Sequence, residues 1–196
     1  MADRVPSPLP GEPRPLAGVR PRTIVIGLGN PLLGDDGVGW RVADEVEELV
    51  AAAQAAGRPI PDVDIERLGV GGLRLMECLT GYSAAILVDA AEFPDRPAGE
   101  VRSCCFEDLA DFAAGHLDSA HDASLRTALA LGRRLGASLP DDIQAVTVQA
   151  HRTDEFSEEL SPEVSAAVPA AARAVMELLA GPAAIQVQMP KSAAIG

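Results

Sequence analysis

Two adjacent carboxylates, Asp35 and Asp36, close the run Gly27-Leu28-Gly29-Asn30-Pro31-Leu32-Leu33-Gly34-Asp35-Asp36-Gly37-Val38-Gly39. A dinucleotide-binding fingerprint would need a third glycine where Leu32 stands. Two acids at a helix entrance would also repel a pyrophosphate. One acid of the pair is enough to cap the helix that follows, which leaves the other at the ligand-facing end of a strand. Asp89 follows Ile86-Leu87-Val88 at the tip of a buried strand, as a turn-maker or as a site residue. Of the three histidines, His121 sits where a loop enters a helix, in Ser119-Ala120-His121-Asp122; His116 and His151 read as solvated. Two carboxylates and an imidazole from three βα loops can bind a borderline divalent metal such as nickel or zinc. The same groups can instead position and activate a water molecule.

The elements that must carry these residues follow from apolar spacing. Thr23–Leu28 is a β-branched run ending in glycine, and Val63–Leu68, Ala84–Asp89, Gly99–Phe106 and Ile143–Gln149 read as four further strands. From Gly37 to about Ala56 the stripe Val42, Val46, Leu49, Val50 and Ala53 predicts a helix that stops at Gly57 and Pro59. Leu73–Leu79 predicts a short helix. Leu125, Ala128, Leu129, Gly132 and Leu135 share one face of another, over His121–Leu135. A last helix carries Val164, Val168, Ala172, Val175 and Leu179, with Pro169 as a point of kinking or restart. The alternation predicts an α/β three-layer sandwich, a mostly parallel, twisted five-stranded sheet with helices on both faces. Sites in such sheets form beyond the carboxyl ends of the strands.

Composition narrows the options. The chain has 196 residues, enough for one domain with a real core. Its formal net charge of −13 disfavours nucleic acid and anionic membrane surfaces as partners. Residues 1–21 are rich in proline and poor in apolar side chains, so they read as a disordered arm; residues 182–196 read as a flexible tail, leaving 22–181 as the folded domain. The amino-terminal stretch lacks the apolar region of a signal peptide, and no apolar run reaches membrane-spanning length. Cys78, Cys104 and Cys105 form neither a disulfide framework nor a zinc motif. They read as packing residues in a reducing cytoplasm, as Trp40 and Tyr82 read as packing aromatics.

The ordered set of motifs resembles the hydrogenase maturation protease family. The carrying residues are Gly27-Leu28-Gly29-Asn30 with Asp35-Asp36-Gly37, then Gly69-Val70-Gly71-Gly72, Ile86-Leu87-Val88-Asp89-Ala90, Ser119-x-His121-x-x-x-Leu125, and Leu160-Ser161-Pro162-Glu163-Val164. The resemblance covers residues 22–180 and implies Asp36, Asp89 and His121 as the metal-recognising and catalytic set. It implies an endopeptidase, aspartic-type or metal-dependent, that removes a C-terminal extension from the precursor large subunit of a nickel–iron hydrogenase. The nickel would arrive in that substrate, with no organic cofactor, and the protease would be a cytoplasmic monomer. Two positions depart from the family pattern: Arg67 stands where an acid is usual, and Thr147-Val148-Gln149-Ala150 replaces a Gly-x-x-Pro element. A non-catalytic maturation chaperone and a zinc hydrolase on the same scaffold are the alternative readings.

Overall fold

The structure, a computed structural model, describes residues 22–69, 72–93, 95–108 and 120–181, without the side chains of 120–124. The expected arm (1–21), the expected tail (182–196) and His116 lie outside the described residues. Five strands form one sheet: β1 (Thr23–Leu28), β2 (Val63–Leu68), β3 (Ala84–Ala91), β4 (Val101–Cys105) and β5 (Asp142–Gln149), in the order β2-β1-β3-β5-β4. All neighbours pair in parallel except β4, which is antiparallel to β5. Residues 92–100 connect β3 to β4 without a helix, which is too short for a parallel return, so β4 comes back antiparallel.

Among the described residues, four helices cover the sheet: α1 (Val38–Ala55), α2 (Leu73–Leu79), α3 (Ala120–Arg134) and α4 (Pro162–Ala180). α1 and α4 pack on one face, over Val25, Ile86, Val88, Val146 and Val148. α2 and α3 pack on the other, over Ile24, Ile26, Leu28, Leu87 and Ile143. Strand alternation divides the apolar residues between these two cores. The crossovers β1–α1–β2 and β2–α2–β3 run in opposite directions across the sheet, and one fixed handedness sends them to opposite faces. Among the described residues, no helix is long and apolar enough to cross a membrane.

Several boundaries differ from the sequence expectation for identifiable reasons. β3 continues past Asp89 to Ala91, because β5 keeps pairing with it through Ala91↔Gln149. α3 ends at Arg134, and Leu135 falls in the closing turn before Gly136 (φ +81°), where it is 77% exposed and outside the apolar face. α4 is a single helix through Pro169, whose ring lies on the solvent side. The predicted stripes of α1 and α4 do face the core, with Leu49 and Val168 half-buried and packed at its margin.

Two close approaches hold α1 against the sheet. A Cβ on Gly39 would sit 2.2 Å from the Leu28 carbonyl oxygen and 2.6 Å from that of Val88. A Cβ on Gly27 would sit 2.2 Å from the Gly39 carbonyl oxygen. The helix backbone therefore rests on the backbone of β1 and β3 where only hydrogen fits. A second tie links the turn after β1 to the start of α4: the buried Asp35 carboxylate accepts the Ser161 backbone N–H at 2.6 Å and its hydroxyl at 3.0 Å.

Gly39→Ala is expected to cost at least about 3 kcal/mol, since only backbone can give way. In thermal denaturation this is a fall of about 6–12 °C. Asp35→Ala, which strands the buried Ser161 amide, is expected to cost about 2–3 kcal/mol in urea titration, and Asp35→Asn less.

Candidate functional site

The turn after β1 is compact because Gly29 allows it. Its φ is +109°, and a Cβ there would lie 1.8 Å from the Asp36 carbonyl oxygen. The Asn30 side chain accepts the Leu32 amide at 3.0 Å, closing the first bend. A 3-10 turn, Gly34–Gly37, then leads into α1 and carries both acids. Neither carboxylate caps that turn or α1. Asp35 turns inward to Ser161, at 1% exposure, while the Asp36 carboxylate accepts the Asn30 backbone N–H at 2.6 Å. The capping expectation is corrected accordingly: one acid anchors α4, and the other braces the turn at the sheet's edge.

Asp89 owes its position to a mismatch in strand length. The last β1–β3 pair is Gly27↔Val88, while β3 runs on beside β5. Asp89 is therefore the first residue of β3 beyond its last pair with β1. Its place in the alternation puts it on the α2/α3 face with Ala85 and Leu87. The 3-10 turn packs against β3, so Asp36 and Asp89 belong to the same carboxyl edge, in the crevice between β1 and β3 where the chain leaves in opposite directions.

His121 is the second residue of α3, and its side chain lies outside the described residues. The segment after α3 meets the amino edge of the sheet, where Gly81 N–H donates to the Ser138 carbonyl and β5 begins at Asp142. The first turn of this 15-residue helix is the end remote from that junction, about 22 Å along its axis. Among the described residues, no three metal-ligating side chains form a cluster. His151 is exposed at the end of β5, on the rim formed by residues 150–157. This rim is tied to the turn after β1 by Gly34 N–H to Ser157 O (2.7 Å), Asp35 N–H to Arg152 O (2.9 Å) and Ser157 N–H to Leu32 O (3.0 Å).

Both departures from the motif pattern have structural roles. Arg67 is paired with Gly27 in register and faces α1, where it donates to Asp44 (2.7 Å) and Glu47 (2.6 Å). The Glu47 hydrogen bond leads in holding its guanidinium above the ordinary value, with the Asp44 pairing adding to it. Arg67 thus stands on the sheet face opposite Asp89. In β5, Thr147 and Gln149 are buried, at 3% and 1% exposure, on the same face as Asp89. The Gln149 amide accepts the Phe93 N–H at 2.9 Å and donates to the Phe93 carbonyl at 3.3 Å, clamping the segment that leaves β3.

In the sequence Thr147 and Gln149 stand out only as part of the departure from Gly-x-x-Pro, although their burial had a signal of its own. They interrupt the apolar series Ile143, Ala145 with polar groups only at the carboxyl end of the strand. Burial pushes the Cys104 thiol up, with Asp108 adding to the shift, so this cysteine is a poor nucleophile. Tyr82 packs on the α2/α3 core and donates to Asp64 at 2.7 Å, which fits the packing expectation.

Comparison with known proteins agrees with this geometry. The family model described as hydrogenase maturation protease matches residues 40–178. The hydrogenase expression/formation protein HupD of Rhodobacter capsulatus is 27% identical over 160 residues, covering 81% of this chain and 72% of that protein. HupD of Thiocapsa roseopersicina is 23% identical, over 82% of this chain and 68% of its own. Among solved structures, the hydrogenase maturating endopeptidase HybD from E. coli superposes with a TM-score of 0.64 at 26% identity, covering 79% of this chain and 89% of that one. With more than half of its length matched by the family model and the acid-bearing sheet edge in place, the chain belongs to the hydrogenase maturation protease family.

Proposed function

We propose that this protein is the endopeptidase that cuts a C-terminal extension from a nickel–iron hydrogenase large subunit after nickel insertion, using Asp36, Asp89 and His121. The observation that carries the proposal is the convergence of Asp36 and Asp89 on one carboxyl edge, in a chain of this family. The proposed unit is residues 22–181, working as a monomer in the cytoplasm. The free thiols of Cys78, Cys104 and Cys105 are consistent with that compartment.

The chemistry follows from the donor set. An aspartate at the edge accepts a proton from a water as its oxygen attacks the scissile carbonyl carbon. The proton then passes to the departing nitrogen as the C–N bond breaks. His121, opening α3, is suited to share that transfer because imidazole changes charge near neutral pH. The nickel is part of the substrate, and carboxylate and imidazole are donors that suit it. Recognition of the loaded metal makes cleavage conditional on a completed insertion step.

Asp89→Asn and His121→Ala are each expected to slow processing of nickel-loaded precursor by at least about a hundredfold, with thermal midpoints close to wild type. Mass spectrometry of the precursor's C-terminus reads the cut. Processing at the wild-type rate by His121→Ala would remove His121 from the set. A wild-type protein that binds the loaded precursor without shortening it would overturn the endopeptidase reading.

A further inference from the structure

We propose that Leu32 and Phe156 form an apolar seat for the precursor polypeptide beside the cut, taking an apolar side chain that adjoins a basic residue. This proposal rests on the endopeptidase reading above and names the part of the substrate that this edge selects. Phe156 is 84% exposed and Leu32 is 43% exposed. Ser157 N–H donates to the Leu32 carbonyl and Gly34 N–H to the Ser157 carbonyl, which makes a parallel bridge between Leu33 and Ser157. Leu32 and Phe156 each precede a bridge partner, so they lie side by side. Alternation turns them outward, while Leu33 and Ser157 are half-buried.

The seat is joined to the acid edge through Asn30. Its backbone N–H donates to the Asp36 carboxylate at 2.6 Å, and its side chain accepts the Leu32 N–H at 3.0 Å. Acid and seat thus belong to one tight turn. An extended chain advances about 3.3 Å per residue, so a polypeptide cut at this edge passes the seat within about four residues of the scissile bond. The other half of the seat is held as firmly. On one side of Phe156, Arg152 pairs with Glu155 (2.8 Å) and the Thr153 hydroxyl donates to Glu92 (2.6 Å). On the other, the Ser157 hydroxyl oxygen accepts the Glu159 N–H at 3.0 Å, and Arg41 donates to the Glu158 carbonyl at 3.3 Å. A ring carried on restrained backbone loses little freedom when a partner covers it. Aromatic side chains are enriched at the centres of protein interfaces for the area they bury.

Charge decides between partners. The exposed Asp154, Glu158 and Glu159 flank Phe156 in the chain, while Glu155 is engaged by Arg152. A second copy of this chain, with its net charge of −13, would bring like charge against that rim. A substrate segment with a lysine or arginine next to its apolar residue meets the ring and the acids together. The apolar contact supplies affinity, and the rim rejects precursors whose flanking residues are acidic.

The test uses the full-length protein and nickel-loaded precursor, with processing followed by mass spectrometry. Phe156→Ala is expected to raise KM about tenfold with kcat within about twofold, and Phe156→Leu to recover part of the loss. Each apolar residue of the precursor within about four positions of the cut is then changed to Ser. One such change should raise the wild-type KM by the same factor and leave that of Phe156→Ala unaffected. Changing the basic residue beside it to Gln should raise the wild-type KM about threefold at low salt and leave it unchanged at high salt. An unchanged KM for Phe156→Ala, additive effects, or a basic residue without influence at low salt would overturn the proposal. A wild-type dimer in sedimentation that Phe156→Ala dissolves would put a second copy on the seat and overturn it likewise. If Phe156→Ala melts well below wild type, Leu32→Ala with the same substrate series gives the same discrimination. Failure of the wild-type enzyme to cut overturns both readings; normal wild-type cutting with no effect at Phe156 overturns this one alone.

Discussion

Helix α1 rests on the sheet through backbone, and this contact governs the rest of the site. Gly27 and Gly39 meet where a single methyl would strike a carbonyl oxygen at 2.2 Å. Bringing the helix this close leaves little room for the chain between β1 and α1. It must turn back at once, through Gly29 at positive φ and a single 3-10 turn. The acids are delivered by that tight return. A looser packing with alanine at both positions would lengthen the turn and separate Asp36 from β3. The glycines at 27, 29 and 39 are steric requirements of helix-on-sheet packing.

Within that turn, adjacent residues of identical chemistry have opposite fates. Asp35 is withdrawn into the protein, where two donors from Ser161 satisfy it. Asp36, one residue on, stays near the surface and braces the Asn30 amide. A buried carboxylate needs such donors to offset its lost hydration, and the start of a helix has backbone N–H groups to offer. Strand length performs a comparable selection at Asp89, by stopping β1 pairing at Val88 while β5 continues. Both acids thus owe their place at the sheet's edge to the turn and to the strand lengths around them.

Much of this was legible in sequence, and the remainder was hidden for physical reasons. Period-two and helical spacing located all five strands and the four described helices, since burial on two faces leaves a local trace in the pattern. Asp36 and Asp89 could be singled out because charged residues beside apolar runs are anomalous locally. The division of labour between Asp35 and Asp36 could not be read, because it depends on Ser161, a residue distant in the chain. The juxtaposition of Leu32 and Phe156 depends on a bridge between segments distant in the chain, and no local pattern encodes it. Arg67 stood out in the sequence only as a departure from the family pattern. Its partners, Asp44 and Glu47, lie on a helix across the sheet, and only register reveals the face it occupies.

The Asp35–Ser161 bond has a bearing on how the protein comes into being. Its partners are separated by 126 residues, so the acid-bearing turn gains this anchor only after α4 has been synthesised and docked. Every other strand and helix described here precedes that moment in translation. A nascent or truncated chain ending before Ser161 can collapse its first βα units, yet it lacks the brace beneath Asp36. The acid-bearing turn is therefore braced only once α4 has formed, which couples this edge of the sheet to a late-made element of the domain.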